Sequence, residues 1–314
     1  DSVGASSFGS GVYGYFTVVA VHEGETKVRV TPSVPTEPGA EIPRIEAGVE
    51  TLFTLQRFEV LTIQALGSSD LMGPFYDLTG TVIEASQPIV AFGGHDCLNV
   101  HQGNCDHVET QLVPVEAWGT EYVAAHMQIP SPNVYRVTAY YEGTSLSTEP
   151  PMAELNGKVL ARGEWAELAS YEDFVIRADR PFQITSFIAG YDPGGSGGSG
   201  VLVDPSLTGL IPTSGFRVDY PLLVPEAYEA DWVTVVKPAG AALMLDGVPL
   251  SEGSFSLIGA GDWRSANVQL QQGVHRIDGS QPFGVIAYGY GNKVSYAYPA
   301  GANLILTVLP LTWP

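Results

Sequence analysis

Residues 15–21 (YFTVVAV) alternate as a strand should, and a second period-2 run covers residues 26–31 beyond the turn Glu23-Gly24-Glu25. Two such runs around a Gly-containing turn predict a β-hairpin. The figure returns at residues 135–141 and 144–148 around Glu142-Gly143. It returns again at 232–236 and 242–245 around Pro238-Ala239-Gly240, with a further tight turn at Asp246-Gly247. Each hairpin is followed by a middle strand pair, at residues 50–63, 165–176 and 267–277. A proline then opens each closing run: Gln87-Pro88 before IVAFGG, Arg180-Pro181 before FQITSFIAGY and Gln281-Pro282 before FGVIAYGY. Proline lacks a donor N–H and is tolerated at a strand's first residue but not inside a ladder, so each should head an equivalent strand.

These prolines stand 93 and 101 residues apart, so the chain repeats at about a hundred residues. A second phrase, QLVPVEAWGTEYV (111–123), matches LLVPEAYEADWV (222–233) with one deletion, aligning Trp118 with Tyr228 and Tyr122 with Trp232. Five to seven short strands per repeat suit a β-sandwich. The expected fold is all-β: tandem repeated β-sandwich-like modules packed into one elongated unit. Residues 1–110 form the first module with the cysteine loop, 111–215 the second with a Gly/Ser loop, and 216–314 the third. Residues 111–123 pass from one closing strand to the next opening strand without a polar linker. The modules should therefore share interfaces, with Trp118 above all buried at a seam. The best helix-compatible stretch, EWAELAS (164–170), spans barely two turns.

Composition sharpens this picture. The chain has 314 residues, 45% hydrophobic, with 36 glycines and 23 prolines as turn punctuation, enough for two or three ordinary cores. The net charge is −20, from 34 acidic against 14 basic residues. Such a surface repels phosphate backbones, which disfavours nucleic acids and anionic membranes. It favours solubility, or attraction of cations and basic partners. The opening segment DSVGASSFGSG has no basic n-region or apolar h-region, as in a mature form or an excised piece. The apolar stretch at 303–309 is far shorter than the roughly 20 residues a membrane helix needs.

Few motifs carry chemistry. Cys97 and Cys105, in HDCLNVHQGNCDH (95–107), most simply form a disulfide across a loop, contributing roughly 2–3 kcal/mol in the chain-entropy model. A metal site with His95, Asp96, His101, Asp106 and His107 is the sharper alternative, against which seven intervening residues exceed the usual two to four of zinc sites. Free thiols are the third. A disulfide would point to an oxidising, extracytoplasmic compartment. The stretch GGSGGSG (194–200) formally contains G-x-S-x-G and G-x-G-x-x-G, but no helix follows it, so linker is the better assignment. Asp192 and Asp204, each before a proline, fit turns better than cation ligands. His22, His126 and His275 stand alone among strands and suit partly buried structural roles. No catalytic, cofactor-binding or metal-ligating residue is assigned.

The run GHDCLNVHQGNCDHVETQLVPVEAWGTEYV (94–123), preceded by DLTGTVIEASQPIVAF (77–92), resembles the IgG Fc-binding protein N-terminal domain family, which includes bacterial secreted and surface members. The likeness extends through Asp204-Pro205-Ser206, Leu245-Asp246-Gly247 and SYAYPAGANL (295–304). It implies an extracellular, repeat-built β-protein with Cys97 and Cys105 paired, doing binding or structural work rather than catalysis. It places no Fc-contacting residues on this sequence. The leading expectation is a secreted, non-catalytic adhesion or scaffold protein that holds a protein or glycan at a cell surface or matrix, without cofactor. A self-assembling subunit of a sheath, filament or layer comes second. A glycan-acting hydrolase is a distant third, since two carboxylates suffice for that chemistry.

Overall fold

The computed structural model describes residues 12–67, 76–100, 105–191 and 203–304. The described residues form strands joined by turns, with single 3-10 turns such as Val115–Ala117 and Thr213–Gly215 and no α-helix.

The first module packs the sheet β4(Val60–Gln64)-β1(Gly14–Ala20)-β6(Ile89–Leu98)-β7(Asp106–Gln111) on the sheet β3(Thr51–Leu55)-β2(Thr26–Thr31)-β5(Val82–Ala85). The second pairs β8(Gly119–Ala124), β9(Asn133–Ala139), β10(Thr144–Glu149), β11(Val159–Leu160), β12(Trp165–Ser170) and β14(Ser206–Gly209) around the long β13(Phe174–Ile188). The third repeats this with β15(Arg217–Val224), β16(Ala230–Pro238), β17(Leu243–Leu245), β18(Val248–Pro249), β20(Trp263–Leu270) and β22(Val294–Pro299) around β21(Gly273–Gly291). A two-residue strand, β19(Ser256–Leu257), edges β20. The protein is thus all-β, built of tandem sandwich-like modules.

Strand pairing differs from expectation. The alternating runs do form strands, but the expected hairpins are arches. β1 pairs with β4 and β6, whereas β2 pairs with β3 and β5 in the opposite sheet. The pairs β9/β10 and β16/β17 divide likewise. Alternation reports that one face is buried and is silent on the partner strand. Trp165–Ser170, expected as part of a middle strand pair, is strand β12, with Ala166, Leu168 and Ser170 buried because the sandwich buries every second residue.

Of the prolines, only Pro88 precedes a new strand. Pro181 and Pro282 lie inside β13 and β21, at the corner where one strand leaves one sheet for the other. Residues 174–178 of β13 pair with β10 and β8, and residues 182–188 pair with β9 and β14. The register shifts between Arg177 and Phe182. At the corner no ladder N–H is required, so proline costs nothing there.

A tyrosine braces the two later corners. Tyr122 donates its hydroxyl to the Phe182 carbonyl at 2.7 Å and accepts from the Gly119 N–H; Tyr220 does the same with Phe283 (2.5 Å) and the Arg217 N–H. This brace corrects the repeat alignment. Pro114, the turn at Val115–Ala117 and Tyr122 correspond to Pro212, Thr213–Gly215 and Tyr220, not to residues 225–232. Tyr228 and Trp232 therefore match neither Trp118 nor Tyr122. Hydrogen bonds Leu112 N–H to Ala91, Leu210 N–H to Ile184 and Ala300 N–H to Val285 fix the same frame in all three modules.

The modules do share interfaces. Trp118 is only half-buried, its indole N–H held locally by the Val113 carbonyl at 3.0 Å. The first joint is instead tied by Arg136 of β9, whose side chain is 1% exposed. Its guanidinium donates to Asp77 (2.7 Å) and Thr79 (2.8 Å) of the first module and to Glu167 (2.9 Å), over the Trp165 ring at 4.0 Å. Burial pushes the Asp77 carboxyl up, but Arg136 and the Thr79 hydrogen bonds outweigh it and hold the group below its usual range. Around this tie, Leu98, Val100 and Val108 of the first module meet Val134, Phe187, Ala189 and Leu207 of the second. At the second joint, Val123, Ala125 and Val175 meet Phe216, Val236 and Ile258. Removing one partner of a buried ion pair strands the other charge. Arg136→Ala should therefore cost about 3–5 kcal/mol in denaturant unfolding, and Arg136→Met less. Replacing Asp77 by Ala as well should recover part of the Arg136→Ala loss, and a double variant whose loss is the sum of the two single losses would refute the tie.

Candidate functional site

The family-like run folds as β6, the cysteine loop and β7. The structure joins Cys97 to Cys105, with Cα atoms 4.9 Å apart. The other loop residues do not converge. His95 is 6% exposed and accepts from the Cys97 N–H through Nδ1 at 3.1 Å, which orients the chain into the bridge. Asp96 is exposed and accepts from the Tyr13 N–H, while Asp106 accepts from the His107 N–H. His101 lies outside the described residues. Among the described residues no three His, Cys, Asp or Glu side chains are placed to hold one metal ion.

The outer side of this loop is an acidic, aromatic patch. Tyr15 stacks on His107 with ring centroids 6.2 Å apart, and His107 lies 3.8 Å from Glu109. Burial, then the charges of Glu109 and Asp96, push the Tyr15 phenol up to about 12. Its hydroxyl therefore stays protonated as a donor at neutral pH.

The other singled-out residues serve the fold or fall elsewhere. His126 lies at the second joint: its N–H donates to Asp173 (2.8 Å) and its Nε2 meets the Ser131 carbonyl (3.1 Å). His275 bonds Asp246 and the Gln271 carbonyl, both at 2.7 Å. Burial pulls its imidazole down, but these two bonds outweigh it and raise it. His22 is exposed rather than partly buried, because it sits in the turn between two strands that arch across the sandwich. The glycine stretch 194–200 and Asp192 lie outside the described residues. Asp204 is buried beside β14 with its Oδ1 unpartnered, and burial, then the charge of Asp106, push its carboxyl up. Pattern reading missed Asp77, Thr79 and Arg136. The only available signal was an arginine within an otherwise apolar strand.

A disulfide that ties β6 to the start of the edge strand β7, flanked by acidic and aromatic side chains, marks this β-sandwich protein. Comparison with known proteins makes this specific. The family model described as "IgGFc binding protein" matches residues 3–289, and the chain belongs to that family. A human relative named "IgGFc-binding protein" is 23% identical over 292 residues, covering 84% of this chain and 5% of its own length. The chain therefore spans about one twentieth of that relative. No solved structure matches. No helix among the described residues is long and apolar enough to cross a membrane.

Two outcomes test the loop. Alkylation of the native protein should leave both cysteines unmodified by intact mass until reductant is added; two reactive thiols beforehand would refute the bridge. His95, held down to about 4 by burial, titrates near 6.5 in the unfolded chain. As pH falls from 6.5 towards 4, the unfolded state gains a proton that the fold refuses, so stability drops by on the order of 3 kcal/mol. The His95→Gln protein should show a flatter pH dependence of its unfolding midpoint across that window. An unchanged slope would refute this.

Proposed function

We propose that the chain is an extracellular, non-catalytic binding protein: an adhesion or scaffold unit that holds a protein or glycan ligand at a cell surface or in a matrix. The three modules, residues 1–110, 111–215 and 216–314, act as a rigid stand for the ligand-facing loops. The observation that carries this proposal is the surface beside the Cys97–Cys105 bridge, where Asp96 of β6, His107 and Glu109 of β7 and Tyr15 of β1 lie on neighbouring strands within the family-matching run. Side chains held on paired strands beside a disulfide lose little entropy on binding, and aromatic rings flanked by carboxylates suit sugar faces and basic peptide segments alike. The name shared by the family and the human relative points to capture of another protein, which favours the protein ligand. The imidazoles of His95, His126 and His275 engage backbone groups and one carboxylate, in keeping with structural rather than catalytic duty.

The test is capture on arrays of matrix proteins, immunoglobulin Fc and glycans. Bound ligand should dissociate as salt shortens the screening length to about 3 Å near 1 M. An Asp96→Asn, Glu109→Gln double variant should bind several-fold more weakly with an unchanged melting curve. Salt-insensitive capture of an acidic polymer, or hydrolysis of a captured glycan abolished by one carboxylate substitution, would overturn the proposal.

A further inference from the structure

Among the described residues, four side-chain oxygens that the fold buries without a partner gather along β14. They are Thr208 Oγ1 and Ser206 Oγ on that strand, Ser186 Oγ on its ladder partner β13, and Asp204 Oδ1 two residues before Ser206. Each of these residues is 8% exposed or less. Thr208 faces Ser186 across the ladder, and Ser206 faces Ile188. The bridge between Tyr191 and Val203 continues the same register, so alternation sets Asp204 on the side of Ser206 and Thr208. Leu207, on the opposite side, belongs to the apolar cluster of the first joint.

Strand β14 runs where three modules meet, because β7 of the first and β22 of the third both pack against it. Asp106 opens β7 beside Cys105, and one of its carboxylate oxygens accepts from the His107 N–H. From the third module, the Ser295 hydroxyl donates to the Asp204 carbonyl at 2.6 Å. Lys293, on the exposed turn between β21 and β22, attracts the Asp204 carboxyl but forms no ion pair with it. Burial and the charge of Asp106 outweigh that attraction and push the group up. The junction thus gathers two carboxylates and a row of hydroxyls and gives Asp204 Oδ1 no donor from the chain.

Buried oxygens without a partner are rare, and a buried carboxylate without one is among the costliest groups a fold can hold. Apolar side chains at 186, 206 and 208 would pack the same seam without that penalty, so the hydroxyls point to something they bond. Water alone would answer the hydroxyls, but two neighbouring carboxylates call for positive charge. Every available ligand is a hard oxygen. That set suits Ca²⁺, which takes roughly six to eight oxygens, waters included, in a flexible shell. Mg²⁺ demands a near-ideal octahedron, and Zn²⁺ favours nitrogen and sulfur. We propose that a single calcium ion sits at this three-module junction, held by Asp204 and Asp106 with the Ser206 hydroxyl as a neutral ligand. Thr208 and Ser186 bond the water that continues from its shell. With two carboxylates rather than three, the site draws its remaining ligands from hydroxyl and water. The inference does not depend on the ligand surface proposed above. Its test reads ion binding and melting, whereas that one reads ligand capture.

Calorimetric titration of the chelator-stripped chain with calcium chloride is the experiment, followed by thermal unfolding with and without the ion. The parent should bind one ion per chain. Its melting temperature should rise with the logarithm of calcium concentration, as binding to the folded state alone requires. Magnesium chloride at the same ionic strength should raise it less. Asp204→Asn keeps the shape and removes the charge, so it should weaken binding about a hundredfold and erase the calcium-dependent rise. Ser206→Ala should weaken binding about tenfold. If Asp204→Asn fails to fold, the parent's titration and the Ser206→Ala protein still decide the matter. A parent that binds no calcium, or that melts alike in calcium and in chelator, would overturn the proposal and leave Asp204 simply protonated. So would a rise that Asp204→Asn retains in full, which is the general screening of an acidic surface.

Discussion

The constraint behind this architecture is that a proline cannot donate to a ladder. In β13 and β21 it stands where one continuous strand exchanges partners, so the missing N–H falls in the short stretch, 179–181 or 280–282, that neither ladder pairs. One strand then serves both layers of a sandwich, and the two layers cannot slide independently. The tyrosine hydroxyls that grip Phe182 and Phe283 satisfy the corner's backbone from inside the core, where an unpaired carbonyl would be costly. The first module reaches the same geometry with a break, since β5 ends at Ala85 and β6 begins at Ile89. A continuous strand is therefore not essential, but a proline at the exchange point recurs.

Locking the layers allows the outside of one sheet to become the inside of a joint. Outer-face positions of β9 and β16 carry Val134, Arg136, Trp232 and Thr234, whereas the equivalent positions of β1 are Tyr15 and Thr17 and stay half-exposed. The two joints are stabilised differently. The first buries a charged network in which Arg136 satisfies two carboxylates and a threonine. The second is bridged by hydrogen bonds, with Ser265 on Asp173, the Ala260 N–H on Glu149, and Tyr288 bonded to the Gln128 N–H and to Asn267. A buried ion pair offsets its desolvation only when every donor is placed, and it penalises misalignment accordingly. The first joint is the more exacting in register and the second the more tolerant.

Composition and alternation made the all-β class legible, because a sandwich buries every second residue and glycine and proline mark its turns. The repeat was legible through its prolines, which answer to a local backbone rule. Strand partnership was not, as β1 and β2 show: an arch and a hairpin need the same alternation and differ only in where the turn sends the chain. The phrase 111–123 misled for a related reason. Its likeness to 222–233 rests on Leu-Val-Pro, whereas its structural counterpart offers Leu210-Ile211-Pro212 and a tyrosine eight residues beyond the proline. Trp118 looked like the seam because it is large, yet its N–H is satisfied by its own turn. The cysteine pair was legible as one of three possibilities, and the resemblance narrowed them. Arg136 stayed hidden because two of its partners, Asp77 and Thr79, come from the preceding module, 59 and 57 residues upstream.

The placement of the cysteine loop bears on what the fold is for. Next to the bridge, Leu98, Val100 and Val108 sit in the apolar cluster of the first joint, while Asp96, His107 and Glu109 face outward on the same short stretch. One side of the loop is thus core for two modules and the other is free surface. Burial of His95 ties the loop's backbone to that core through the Cys97 N–H. Side chains on the outer side are thus carried by strands whose other face is packed core. A surface that must hold a partner without yielding gains a great deal, since rigidity before contact lowers the entropy lost on contact.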